Sequence, residues 1–345
     1  NSPYLITDQP YLYYWLIGAI AKIYQWVFPN NPPIRDVMLL RLFSVVLSTV
    51  TVFYSYKLGS KVTNNPYAGV LTAFFLSNTL MFVFVSGGLS YDNLMNLAAM
   101  AAIYHLVCLY RKEDFIRHSA LIGTWVAIGS LSKEQFLLLA LILFLAWFFY
   151  VLFNFKSIKL TFNRDNVLIS VVFVLFLGLF LGLYGVNLFR YSSPTPSCWQ
   201  IKPGDACTGF DNRIDYYDPY SLGALWFYRD HFPNPIEYAS QFWVFKMVQS
   251  IWGILSHKTF VPRLSVGLHF LLALWGLVCL IRYWKPTDKI PILLLFIIIS
   301  YSGYIFYMNF RNEVNFSFQH FGITGRYFSP IFGVTFTIMI YYFLK

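Results

Sequence analysis

The sequence predicts an all-α fold: a polytopic transmembrane helical protein of about nine spans, with interfacial helices on its outer face. Three observations predict it. First, 58% of the 345 residues are hydrophobic and only 12% are charged, against about 25% charged in soluble globular chains. Second, the mean hydropathy is +0.57. Third, the apolar residues gather into runs long enough to cross a bilayer, and Lys and Arg mostly flank those runs. Membrane topology therefore accounts for much of the formal charge of +10, and nucleic acid is not expected as a partner. Aromatic residues reach 21%, which fits Tyr and Trp belts at the interfaces and Phe against lipid.

Residues 1–36 read as an outer loop, polar, aromatic and Pro-containing. Within it, residues 12–27 are too short and too punctuated for a convincing span. They read as an amphipathic helix lying in the interface, anchored by Trp15, Tyr24 and Trp26. Residues 37–189 form a six-span block, with spans near 37–56, 67–86, 93–109, 119–131, 136–153 and 167–189. Residues 190–263 form an extracytoplasmic loop, hydrophilic to 237 and then apolar over 238–255. Residues 264–345 form a three-span block, with spans near 264–282, 290–308 and 327–344. The chain starts at Asn1 rather than Met and shows no cleavable signal. It begins inside what reads as a loop, so a further N-terminal span is expected before it.

Orientation follows from Lys and Arg in short loops. One side holds Lys57, Lys61, Arg111, Lys112, Arg117, Lys156, Lys159, Arg164, Arg282, Lys285, Lys289 and Lys345, with the acids Glu113, Asp114, Asp165 and Asp288. The other side is nearly balanced, so the first is cytoplasmic. The alternation works only if residues 238–255 do not cross, which makes them a re-entrant or interfacial helix on the outer face. The unusual polar clusters then all fall outside. Cys198 and Cys207 lie in the long outer loop, bracketing Pro203-Gly204, where a disulfide fits an oxidising compartment. Cys108 and Cys279 sit in apolar spans and read as packing residues.

The polar residues at span ends need a reason. Arg326, in the 319–330 stretch QHFGITGRYFSP, falls where the last span meets water. A cation at that depth costs a few kcal/mol unless something pairs with it. A lipid phosphate suits it, because a guanidinium grips phosphate with two parallel hydrogen bonds. An Arg that snorkels to headgroups would leave the same pattern. Gln319 and Tyr327 flank it as candidate substrate contacts, Pro330 sits in the first turn of the span, and Gly322 and Gly325 let backbone approach a ligand. Asp92, in GGLSYDNL, is either an N-cap for the helix from residue 93 or a carboxylate at the outer mouth, with Gly87-Gly88 allowing close approach. Lys133-Glu134, in GSLSKEQF, is either a local ion pair or a second cation aimed at a membrane-borne phosphate. Asp8, in TDQPYLYYWL, is an N-cap or a catalytic, acceptor-positioning carboxylate. Trp252, in QSIWGILS, is a belt residue or a substrate contact, and His257 and Lys258 beside it could touch a lipid head. His231, His257, His269 and His320 show no HxxxH or Cys/His spacing, which argues against zinc. A divalent metal could assist, since acids lie outside, but no ligand set is visible. GxxxxGK[ST], GxGxxG and GxSxG are all missing, so the chain is no ATP-driven pump by its own sequence.

Taken in order, these stretches resemble the GT-C membrane glycosyltransferases, the dolichyl-phosphate-mannose–protein mannosyltransferase and aminoarabinose-transferase group. DQPYLYYWL is similar to that family's H-x-P-P-L-Y-Y-W-L segment, and LLRLFSVVLSTVTVFYSYKL to the R-L-x-S span after it. GGLSYDNLMNLAAMAAIYHLVCLYRK resembles the N-D-x-L span, and AIGSLSKEQFLLL the G-L-x-x-L-T-K segment. QSIWGILS and GRYFSP resemble the S-F-W-G and Q-G-R-Y-x-x-P segments of a bacterial and archaeal branch. The resemblance implies a transferase that takes a sugar from a polyprenyl-phosphate carrier on the extracytoplasmic face. Its acceptor would be a protein, glycan or lipid, and its site the cytoplasmic membrane of a bacterium or archaeon. Lys133 and Arg326 match the cations that would hold the phosphate. The family's activating Asp precedes the H-x-P-P-like segment, upstream of Asn1. Asp8 stands where the family often has His, which leaves Asp92 as a supporting polar group.

The chemistry agrees with this class. Sugar transfer from a lipid phosphate needs a base for the acceptor and positive charge for the departing phosphate. A transporter or lipid flippase would instead need paired ionisable residues near mid-span and matched broken helices, and the mid-span positions here are nearly all apolar. An oligosaccharide ligase or polymerase would share the lipid-phosphate logic. A scaffold would leave Lys133, Arg326 and the long outer loop unexplained.

Overall fold

The computed structural model describes residues 10–29, 33–160, 163–196, 200, 234–252, 254–256, 259–260, 263–315 and 324–345. Helices dominate: α1 (Leu12–Val27), α2 (Pro33–Thr63), α3 (Pro66–Ser77), α4 (Leu80–Ser86), α5 (Asp92–Tyr110), α6 (Phe115–Ser132), α7 (Phe136–Asn154), α8 (Arg164–Phe180), α9 (Val186–Tyr191), α10 (Val244–Trp252), α11 (Arg263–Tyr283), α12 (Lys289–Asn315) and α13 (Phe332–Phe343). Among the described residues, the exception to helix is a short antiparallel ribbon, β1 (Ile254–Ser256) with β2 (Thr259–Phe260).

Local chemistry explains the ends. Asn65 caps α3 by accepting from the Tyr67 N–H, with Pro66 at the first helical position. Asp114 caps α6 by accepting from the Arg117 N–H. Asn163 caps α8 through the Asn166 N–H.

Among the described residues, six helices are long and apolar enough to cross a membrane, or seven if α3 and α4 together form one span. This differs from nine spans in three places. The run 67–86 is a helix pair bent by 71° rather than one rod. The break falls at Asn78-Thr79, where the Asn78 and Thr79 backbone N–H groups bond back to the end of α3. Residues 115–132 form an 18-residue helix, α6, but Arg117 with its Thr, Ser and His residues keeps it out of the span-like helices. The last run opens with a 3-10 segment, Gly325–Ile331, containing Pro330, so α13 proper is only 12 residues long.

The centre of the fold is α5. Its membrane-length window is 89% buried, against 11–33% for the other single-helix spans. The run LAAMAAI explains this, because small side chains let neighbouring helices approach closely. Ala98, Ala99, Ala101, Ala102 and Ile103 have no exposed surface, and α5 packs against α2, α6, α7 and the 3-10 segment. The outer helices show Leu, Phe and Val to the surroundings, as lipid-facing surfaces do. Residues 235–252 are helical, with a π-helical stretch at Ala239–Trp243, and are not among the candidate spans.

Candidate functional site

The antiparallel pair α5 and α6 brings the start of one helix beside the end of the other. Asp92 opens α5 and Lys133 follows the last residue of α6. Lys133 Nζ donates to Asp92 Oδ1 at 2.6 Å, and the two side chains are only 4% and 1% exposed. This replaces two of the sequence readings. Asp92 is not the N-cap. Tyr91 holds that position without a side-chain cap bond, while the Ser90 hydroxyl accepts from the Asp92 N–H and donates to Asp92 Oδ2. Lys133 pairs with Asp92 rather than with adjacent Glu134, which resolves why a Lys stands in so tight a turn on the less basic side.

Aromatic rings complete the setting. Lys133 Nζ lies 4.9 Å from the ring centroids of both Tyr91 and Tyr327, a geometry that favours an ammonium electrostatically. Tyr14 of α1 meets Tyr91 edge-on at 6.1 Å, so the start of α1 reaches this cluster. Burial pushes the Tyr91 phenol up to about 12, with the Asp92 charge adding to it, so the phenol stays neutral.

The GRYFSP stretch is tied onto α5. Ser329 donates to Asn96 Oδ1 at 2.8 Å, and Tyr301 of α12 donates to the Tyr327 carbonyl at 3.0 Å. Asn93, one turn before Asn96, accepts from Ser48 of α2 and donates to the Val85 and Gly88 carbonyls. A rigid polar frame therefore positions Arg326. Arg326 is an exposed residue, and its guanidinium lies 5.4 Å from the Tyr327 ring centroid. Burial of part of the side chain would lower its pKa, but Tyr327 and the nearby Asp92 hold it above the ordinary value. Among the described residues no carboxylate lies within ion-pair distance of it.

Gly325 approaches protein, not a ligand. A Cβ there would fall 2.8 Å from the Ile251 backbone, so α10 needs the glycine to pack on the 3-10 segment. At Gly87 a Cβ would meet nothing nearer than 3.9 Å, so among the described residues no helix packs closely on it. Trp252 stacks on His269 at 4.0 Å and meets Phe336 edge-on. It packs against the apolar cluster of Phe332 and Phe336, which Phe328 of the GRYFSP stretch also meets. Asp8, Gln319, Gly322, His231, His257, Lys258, His320, Cys198 and Cys207 fall outside the described residues.

The sequence reading missed two features. Tyr91 was passed over because a Tyr before a helix carries no chemical signature. The buried group His105, Cys108 and His118, whose potential ligand atoms all lie within 4.8 Å of one another, was signalled only by an H-x-x-C spacing on one helix face, with its third member on the next helix.

Compared with known families, residues 8–184 match a family model described as dolichyl-phosphate-mannose-protein mannosyltransferase. The matched stretch includes Tyr91, Asp92 and Lys133 and stops before Arg326. No curated protein and no solved structure matches the chain.

Proposed function

Because the chain belongs to the dolichyl-phosphate-mannose-protein mannosyltransferase family and is an integral membrane glycosyltransferase of GT-C type, we propose that it moves a sugar from a polyprenyl-phosphate carrier to an acceptor hydroxyl on the extracytoplasmic face. The observation that carries this reading is the adjoining placement of an exposed Arg326 and a buried, Asp92-paired Lys133 around Tyr327. Two cations within one aromatic cluster suit a lipid phosphate better than one snorkelling Arg does.

In this reading Arg326 holds the donor phosphate bidentately. The acceptor oxygen attacks the anomeric carbon, the bond from that carbon to the phosphate oxygen breaks, and the polyprenyl phosphate leaves with the electron pair. Lys133, held by Asp92 beside the Tyr327 ring, adds fixed positive charge on the side of the leaving phosphate. Asp92 has both oxygens occupied, so it positions Lys133 rather than taking the acceptor proton. That proton goes to a base outside this cluster, for which Asp8 is the candidate within the chain. Tyr327 lines the donor path, Gln319 is a further candidate substrate contact by its place in the sequence, and Trp252 packs beside the GRYFSP stretch. The acceptor is a protein, glycan or lipid hydroxyl at the outer membrane surface.

The test is transfer from radiolabelled polyprenyl-phosphate sugars by the purified full-length protein. Transfer by wild type that falls about 10- to 100-fold in folded Arg326→Ala and is lost in folded Lys133→Ala supports the reading. Activity unchanged in both variants rejects this site. No consumption of any carrier sugar, together with lipid scrambling in liposomes, favours the flippase.

A further inference from the structure

At the opposite end of the α5–α6 hairpin lies a second cluster that the transfer reaction does not use. His105 and Cys108 are one helical turn apart on α5 and share a face, and His118 opens towards them from the first turn of α6. One ring nitrogen from each His and the Cys108 sulfur all lie within 4.8 Å of one another, and all three side chains are buried. The two Nδ1 atoms face each other at 3.1 Å, close to the separation of two nitrogens bound to one tetrahedral metal. Counting about 1.5 Å per residue along α5, the cluster sits about 20 Å from Asp92.

We infer that His105, Cys108 and His118 bind a thiolate-accepting, zinc-type metal ion that staples the α5–α6 turn. The donor set fits that chemistry, because two imidazoles and one thiolate suit a borderline ion such as Zn²⁺ and leave a fourth position open. The surroundings fit it independently. His118 Nε2 lies 3.4 Å from Glu113 Oε2, and the other Glu113 oxygen pairs with Lys61. A ligating His commonly donates its second ring N–H to a carboxylate, which fixes the tautomer and leaves the facing nitrogen for the metal. Glu113 can do this for His118 while Lys61 holds Glu113 in place. The rings of Tyr54 and Tyr104 pack edge-on against His105 at 6.1 and 5.2 Å, shielding the group on that side. Binding requires loss of the Cys108 proton, which the incoming ion displaces.

The test uses the untagged full-length protein in detergent, stripped with a chelator and titrated with Co²⁺ and then Zn²⁺. The expected result is one ion per chain, with a near-ultraviolet thiolate-to-cobalt band that Zn²⁺ abolishes. Cys108→Ser should lose that band, and Cys279→Ser should keep it. Glu113→Gln should weaken affinity about ten- to a hundredfold without changing the spectrum. Should Cys108→Ser fail to fold, X-ray absorption on Zn²⁺-loaded wild type decides instead, with one sulfur expected at about 2.3 Å and nitrogens at about 2.0 Å. Substoichiometric binding, a shell without sulfur, or binding that survives both Cys108→Ser and His118→Ala would overturn the inference and leave a hydrogen-bonded histidine pair. Each readout is metal binding, so its outcome is independent of whether the protein transfers sugar.

Discussion

Lys133 Nζ lies 2.6 Å from Asp92 Oδ1 with both side chains almost fully buried, so the two ends of the α5–α6 hairpin are locked by an ion pair that neither partner can leave cheaply. Removing one partner strands a buried charge, which typically costs about 3–5 kcal/mol. Lys133→Met and Asp92→Asn should each destabilise by that order in denaturant unfolding in detergent. The double variant should recover most of the loss while remaining inactive. Additive losses would mean that the pair is not coupled in solution.

Arg326 should behave differently, because it is exposed and carries no described ion pair. Arg326→Ala should leave the melting temperature nearly unchanged and lower kcat/KM for the lipid donor about 10- to 100-fold, the size of a lost hydrogen bond to a charged group. Arg326→Lys should recover only part, since an ammonium cannot grip phosphate with a planar fork. Steady-state kinetics over a range of donor concentrations reads this directly.

Gly325→Ala tests whether the GRYFSP stretch is held by α10. Its Cβ would meet the Ile251 backbone at 2.8 Å, and overpacking of this kind costs about 1–3 kcal/mol. Stability and transfer should fall together. Ile251→Ala should not rescue the variant, because the clash is with backbone as well as side chain.

Glu134 supplies a pH prediction. Burial raises its pKa above the ordinary carboxylate range, and Lys133 opposes this only in part. The folded state therefore keeps the proton to higher pH than the unfolded chain does. Stability is greatest below the unfolded pKa and declines as pH rises through the folded one. Glu134→Gln, which cannot ionise, should match wild type at pH 4 and melt higher than wild type at pH 8. A constant difference across pH would indicate a packing effect instead.

Much of the fold was legible because lipid imposes simple rules on sequence. Spans near 37–56, 93–109, 136–153, 167–189, 264–282 and 290–308 correspond to helices long and apolar enough to cross, since hydropathy and length are read one residue at a time. The break at Asn78-Thr79 and the 3-10 entry at Gly325–Ile331 were not legible, because a short polar interruption such as Ser77-Asn78-Thr79, or a Pro in a first turn such as Pro330, also occurs within one continuous span. Asp92, Lys133, Arg326 and Tyr327 stood out in the sequence as polar or interfacial residues at span ends, but three separate segments carry them, and nothing local says that they meet.

The sequence by itself determined that this chain lives in a membrane, which of its segments are apolar enough to lie there, and which charges needed a partner. Those are properties of composition and spacing. Only the tertiary structure decided the partners. It gave Lys133 to Asp92 rather than to Glu134, turned Gly325 towards Ile251, and set His118 against His105 and Cys108. Each of these depends on how α5 is surrounded, and its small residues let several helices crowd onto it at once. Pairing across 41 residues, as between Asp92 and Lys133, is fixed by that packing and by the cost of leaving a buried charge alone, neither of which a linear pattern records.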